Sequence, residues 1–128
     1  MSKGKILVVE DFESIREYLC KFLVTKGYQT VGAENGQQAL NYLSQDSFNL
    51  IISDYNMPEV NGMQLLEAIK ANTAMQSIPM ILLTSEKCLD KMKAAREAGL
   101  FAWIVKPYKI DNFISTIERA LAREGVSK

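Results

Sequence analysis

Leu50-Ile51-Ile52-Ser53-Asp54-Tyr55-Asn56-Met57-Pro58-Glu59-Val60-Asn61-Gly62 is an apolar run that ends on a carboxylate and then breaks up. Such a run reads as a strand buried on both faces, which places Asp54 where the strand leaves the core. Beyond it, Pro58 fixes its own φ and biases Met57 away from helix, while Asn61-Gly62 tolerates positive φ. A strand, a carboxylate and a rigid loop form a platform for chemistry. Taken alone, Asp54 is equally open to a plainer reading as a helix cap or turn residue, so the flanking chain has to decide.

Toward the N-terminus, Lys5–Val9 predicts strand one, closed by Glu10-Asp11. Ile15, Leu19, Phe22 and Leu23 then recur at helical spacing until Gly27. Tyr28–Ala33 predicts a weaker strand two, and Asn35-Gly36 opens a helix carrying Ala39, Leu40 and Leu43. Strand three is predicted over Phe48–Ser53. Toward the C-terminus, Leu65, Leu66 and Ile69 line helix three, and Ile78–Leu83 predicts strand four, with proline tolerated near its start. Thr84-Ser85 ends that strand and is expected to cap helix four, whose apolar side uses Leu89, Met92, Ala95 and Ala98 before Gly99 stops it. Phe101–Val105 predicts strand five; Lys106-Pro107 leads into helix five, with Ile110, Phe113, Ile114, Ile117 and Leu121.

Strict strand-helix alternation implies a parallel sheet with right-handed crossovers, because parallel neighbours need a crossover and a helix supplies it. The expected fold is α/β: a doubly wound five-stranded parallel sheet, flavodoxin-like, with helices on both faces. Strands one, three and four are aliphatic enough for central positions and strand two suits an edge, which the order 2-1-3-4-5 satisfies. At 128 residues, 48% of them hydrophobic, the chain reads as one domain over 1–128 with a core of about 5–122; Glu124 to Lys128 are expected to fray.

Fifteen Lys and Arg balance fifteen Asp and Glu, so nothing favours nucleic acid as a partner, and no apolar run approaches membrane-spanning length. Met1–Lys5 runs straight into a strand without a signal-peptide pattern, which makes the expected location the cytoplasm. Cys20 and Cys88 lie apart on predicted helices, and with no histidine in the chain neither has the usual partner of a nucleophilic thiol or a zinc site. Both are read as ordinary thiols.

In open α/β sheets the functional crevice lies beyond the carboxyl ends of the strands, where strand order reverses. Those ends carry Glu10 and Asp11 (strand one), Asp54 (three), Thr84 with Ser85 (four) and Lys106 (five). Three stacked acids raise one another's pKa and destabilise the fold unless a cation sits among them. Carboxylates with water and a backbone carbonyl are a ligand set for magnesium. Unrelated capping roles explain Asp11 or Thr84 singly, but not the three carboxylates, the Thr84 hydroxyl and the Lys106 ammonium together.

This constellation resembles a response-regulator receiver domain, most closely the stand-alone chemotaxis type, over Lys5 to about Ala122. The resemblance is specific because Glu10-Asp11, Asp54 with Met57-Pro58 and Gly62, Thr84, and Lys106-Pro107 each fall at the proper strand end. It implies that Asp54 accepts a phosphoryl group from a histidine kinase. It also implies Mg2+ bound by Asp11, Asp54 and the Asn56 carbonyl, with Glu10 acting mainly through water. Thr84 and Lys106 would contact the phosphoryl oxygens, and the Lys106-Pro107 bond would be cis. Asn56 and Glu86 match positions that flank the path of the hydrolytic water, implying a labile phosphate, although Glu86 is also explained as a helix-dipole residue. Trp103 stands where receivers usually carry the tyrosine or phenylalanine that pairs with the switching Thr84. The larger indole is expected to be partly exposed in the resting state, with an inward rotation that is incomplete or uncoupled from Thr84.

The expected function is therefore a phosphorylation-activated switch of a two-component system. It is not an enzyme in the ordinary sense, although it carries phosphorylation and dephosphorylation chemistry of its own. A monomer is expected to bind a downstream protein through helix four, strand five and helix five, where Lys87, Lys91, Trp103 and Lys109 mix basic and aromatic character, and to meet a phosphatase. The alternative is a receiver module of a larger response regulator or hybrid kinase. A flavodoxin-like electron carrier is disfavoured, because Glu10-Asp11-Phe12-Glu13 would repel the flavin phosphate.

Overall fold

A computed structural model describes residues 3–123. In chain order its elements are β1 (Lys5–Val9), α1 (Glu13–Thr25), β2 (Gln29–Ala33), α2 (Gly36–Gln45), β3 (Leu50–Asp54), α3 (Gly62–Lys70), β4 (Met80–Thr84), α4 (Leu89–Glu97), β5 (Ala102–Val105) and α5 (Ile110–Arg123). The strands form one parallel sheet in the order β2-β1-β3-β4-β5, the doubly wound arrangement expected from the alternation.

Alternate side chains of each central strand enter opposite cores. Ile6 and Val8 of β1, Leu50 and Ile52 of β3, and Ile81 and Leu83 of β4 pack with Leu19 and Leu23 of α1 and Phe113, Ile117 and Leu121 of α5. Leu7, Val9, Ile51, Met80 and Leu82 pack on the other face with α2, α3 and α4. β2 and β5 are only partly buried, as edge strands should be. The register aligns Val9 with Ser53, Asp54 with Leu83 and Thr84 with Val105, so the strand ends arrive at one level.

Several boundaries move. β3 starts at Leu50 instead of Phe48 and includes Asp54, which keeps a ladder partner in Leu83. β4 starts after Pro79, because Pro79 has no N–H and the Ile78 N–H is used in a turn to Met75. β2 and β5 each begin one residue later than expected. Thr84-Ser85 does not cap α4: the N-cap is Cys88, without a side-chain cap bond, and Thr84 organises the intervening loop instead. Cys88 therefore sits just outside a helix. On α4 only Ala95 is buried, while Leu89 is 76% exposed. Positive φ in the β3–α3 loop falls on Glu59, not on Asn61-Gly62, because Asn61 is extended and serves as N-cap of α3 in a reciprocal capping box with Gln64. The expected fraying of Glu124 to Lys128 lies outside the described residues.

Candidate functional site

Glu10, Asp11 and Asp54 converge at the ends of β1 and β3, with one carboxylate oxygen from each lying within 4.8 Å of the others. Glu10 is buried, its backbone N–H donates to the Ala33 carbonyl, and its carboxylate accepts the Phe12 N–H at 3.1 Å. Asp54 Oδ1 accepts the Tyr55 N–H at 2.9 Å and the Lys106 ammonium at 3.3 Å. This ion pair reaches across β4 from the β5–α5 loop, where the Lys106–Pro107 bond is cis, as expected.

Two observations show that this cluster could hold a metal ion. Asp11 Oδ1 is buried with no hydrogen-bond partner, a costly state for a carboxylate oxygen. Glu10 is raised from 4.5 to about 7: burial is the main cause, contact with the Asp11 carboxyl and the charge of Asp54 add to it, and the Phe12 amide and Lys106 oppose it. Three clustered acid groups with one oxygen unsatisfied suit a divalent ion that takes carboxylate oxygens.

The shift of Glu10 has a testable consequence for the metal-free protein. With its folded pKa raised, Glu10 favours the fold fully below about 4.5, and that contribution is lost as pH climbs through about 7. The midpoint of urea unfolding, measured at about pH 5 and about pH 8, should fall more in wild type than in Glu10→Gln, which does not titrate. Saturating Mg2+ should remove the difference. Parallel midpoints in the two proteins would contradict the coupling.

Thr84 is fully buried, and its hydroxyl accepts the Glu86 N–H at 2.9 Å; the Lys106 N–H donates to the Thr84 carbonyl at 2.7 Å. Glu86 also accepts, through its backbone carbonyl, the indole N–H of Trp103 at 3.1 Å. One residue thus joins Thr84 to Trp103. The half-buried indole rests against Tyr55, with ring centroids 5.5 Å apart. The Glu86 carboxylate is held below its ordinary pKa mainly by Lys91, whose ammonium lies 2.9 Å away and also sits 5.6 Å from the Tyr55 ring centroid. Asn56 is exposed on the loop just past Asp54. Strand-end residue types do not reveal the Glu86 link, because Glu86 takes part in it through its main-chain N–H and carbonyl.

A cavity of about 360 Å³ opens beside Asp54 and Lys106, between α1 and the β5–α5 loop, with Ile15, Tyr18, Pro107 and Tyr108 in its wall. It accounts for two aromatic and aliphatic side chains left in water on α1, Ile15 at 40% and Tyr18 at 62% exposure. Among the described residues no helix is long and apolar enough to cross a membrane.

A family model described as response regulator receiver domain matches residues 6–118. The chemotaxis protein CheY of Pseudomonas aeruginosa is 32% identical over 120 residues, covering 93% of this chain and 97% of that protein. The DNA-binding transcriptional regulator NtrC of Escherichia coli is 34% identical over 122 residues, covering 95% of this chain but 26% of that protein. The solved structure of the Vibrio cholerae chemotaxis protein CheY4 matches with a TM-score of 0.86 at 31% identity, covering 92% of this chain and 98% of that one.

Proposed function

The chain belongs to the family of response-regulator receiver domains, and from that premise we propose that Asp54 is the phosphoryl acceptor of a two-component switch. Receiver domains are signalling switches rather than classical enzymes, and they interact with histidine kinases and downstream targets. The observation that carries the assignment is the meeting of Asp54 with Lys106 at 3.3 Å inside a cluster that also contains the unpartnered oxygen of Asp11.

An oxygen of the Asp54 carboxylate attacks the phosphorus of a kinase phosphohistidine; the P–N bond breaks and the imidazole leaves with its electron pair, to be protonated. Such a step needs alignment and charge neutralisation more than covalent help. Lys106 is positioned to pair with the transferred oxygens, and the Thr84 hydroxyl, which accepts the Glu86 N–H through a lone pair, still has its O–H to donate to them. Mg2+, held by Glu10, Asp11, Asp54 and the Asn56 carbonyl, would supply further positive charge against those oxygens. The cavity beside Asp54 leaves room for the donor to approach. Asn56 and Glu86 then set how readily water reaches the acyl phosphate.

Phosphorylation adds charge and acceptor oxygens that draw Thr84 inward; in place of the uncoupled rotation expected from the size of the indole, the hydrogen bonds through Glu86 favour a coupled response at Trp103. The face built from α4, β5 and α5 meets the downstream protein. We read the chain as a chemotaxis-type regulator: one receiver domain over 1–128, monomeric, in the cytoplasm, with a phosphatase among its partners. The match to NtrC favours a second reading, a receiver module serving a separate output domain.

Lys106→Ala tests the division of labour. The backbone tie from Lys106 to Thr84 survives the substitution, and Lys106 is assigned to the phosphoryl group, not the metal. Unfolding midpoint and Mg2+ affinity should stay close to wild type, while the change in Trp103 emission on phosphorylation shrinks several-fold. A variant that unfolds, or one that responds in full, would contradict this role.

A further inference from the structure

α1 has no side-chain cap at its N-cap, Phe12, yet the turn before it carries two of the clustered carboxylates. What holds that turn arrives from within the helix: Arg16 Nη1 donates to the Glu10 carbonyl at 2.8 Å. The Arg16 stem reaches there by lying flat on β2 at Gly32. A Cβ on Gly32 would meet Arg16 Cγ and Cδ at 3.1 Å and Nε at 3.5 Å. Gly32 pairs in register with Val8, two residues before Glu10. The Arg16 stem thus lies in a shallow slot over the bare Cα of residue 32, where an added Cβ would push it aside by a few tenths of an ångström.

We propose that Arg16 is a positioning residue for the acidic cluster: by fixing the Glu10–Asp11 peptide it aims both carboxylates at Asp54, with Gly32 as its slot. It touches no reacting atom and acts through the peptide it holds. The guanidinium suits the task because it is permanently charged and its planar fork keeps direction, whereas a lysine offers a flexible point charge. The Glu10 N–H is held by Ala33 and its carboxylate by the Phe12 N–H, so the Arg16 contact to its carbonyl completes the restraint of this residue and is the bond that acts on the Glu10–Asp11 peptide itself. Groups that orient metal ligands from behind typically change metal affinity by about 10- to 100-fold when removed.

The proposal rests on the reading of the cluster as a magnesium site, and calorimetric titration with magnesium chloride tests the two separately. Arg16→Ala should bind Mg2+ about 10-fold or more weakly while keeping nearly its wild-type unfolding midpoint; Arg16→Lys should recover part of the loss. Gly32→Ala should weaken binding when Arg16 is present, and cost nothing further in Arg16→Ala, because the crowded stem is then gone. If Arg16→Ala binds as tightly as wild type, with or without a lower unfolding midpoint, Arg16 is merely structural and the proposal is overturned. Equal losses from Gly32→Ala in both backgrounds would overturn the slot. If wild type takes up no Mg2+, the metal reading fails first, an outcome distinct from the other two.

Discussion

Asp54→Asn is expected to reduce phosphoryl uptake from a small-molecule phosphodonor to background while leaving the fold in place. The amide matches the carboxylate in shape but lacks the anionic oxygen that attacks phosphorus. It also removes the partner of Lys106 and one of the three acids of the cluster, so Mg2+ affinity should fall as well. Folding should survive because Asp54 sits at the last position of β3, with its side chain outside the two cores and its ladder pairing through the backbone. Glu10→Gln is the contrast: weaker in Mg2+ but still able to accept the group. Intact-mass measurement reads both variants. A phosphorylated Asp54→Asn protein would show that another residue takes the group.

The second large effect is expected from Gly62→Ala. Gly62 opens α3, and its N–H donates to the Tyr55 carbonyl at 2.8 Å, which brings the helix start hard against the end of β3. A Cβ there would meet Leu82 Cδ2 at 2.6 Å, the Asp54 carbonyl oxygen at 2.8 Å and Tyr55 Cα at 2.9 Å. Leu82 can turn aside, but the two backbone atoms cannot. The cost should reach or exceed the roughly 1–3 kcal/mol typical of overpacking, a large share of the 5–15 kcal/mol total of a small domain. A fall in Tm on the order of 10 °C is expected, with slower phosphorylation, because the displaced backbone is that of Asp54 itself. Gly62→Ala/Leu82→Ala should not rescue it. Rescue by the double variant would place the strain in the side chain instead.

The parts legible in the sequence are those set by pattern. Aliphatic runs ending on carboxylates (β1, β3) or a hydroxyl (β4) located the central strands, and the alternation with helices left little choice of topology. Glu10, Asp11, Asp54, Thr84 and Lys106 could be grouped because a parallel sheet brings all its carboxyl ends to one edge. Errors arose where one residue had two possible uses. Thr84 had the chemistry of a cap, but its hydroxyl holds the Glu86 amide, and α4 starts later without a cap. Asn61-Gly62 looked like a positive-φ pair, but the capping box claimed Asn61 and close packing claimed Gly62. Ile15 fitted the apolar stripe of α1, yet it lines the open cavity at the site. Arg16 on Glu10 and Trp103 on Glu86 were invisible, since contacts between a side chain and a distant carbonyl leave no periodic trace.

The central claim is that Asp54 is the phosphoryl acceptor and that the acidic cluster supports it with a divalent cation. Peptide-level mass spectrometry of the wild-type protein, after incubation with a small phosphodonor in the presence of Mg2+ or of a chelator, tests it directly. A single phosphoryl group is expected, on the peptide containing Asp54, and only where Mg2+ is present. A group on any other peptide, or equal incorporation after chelation, would contradict the assignment.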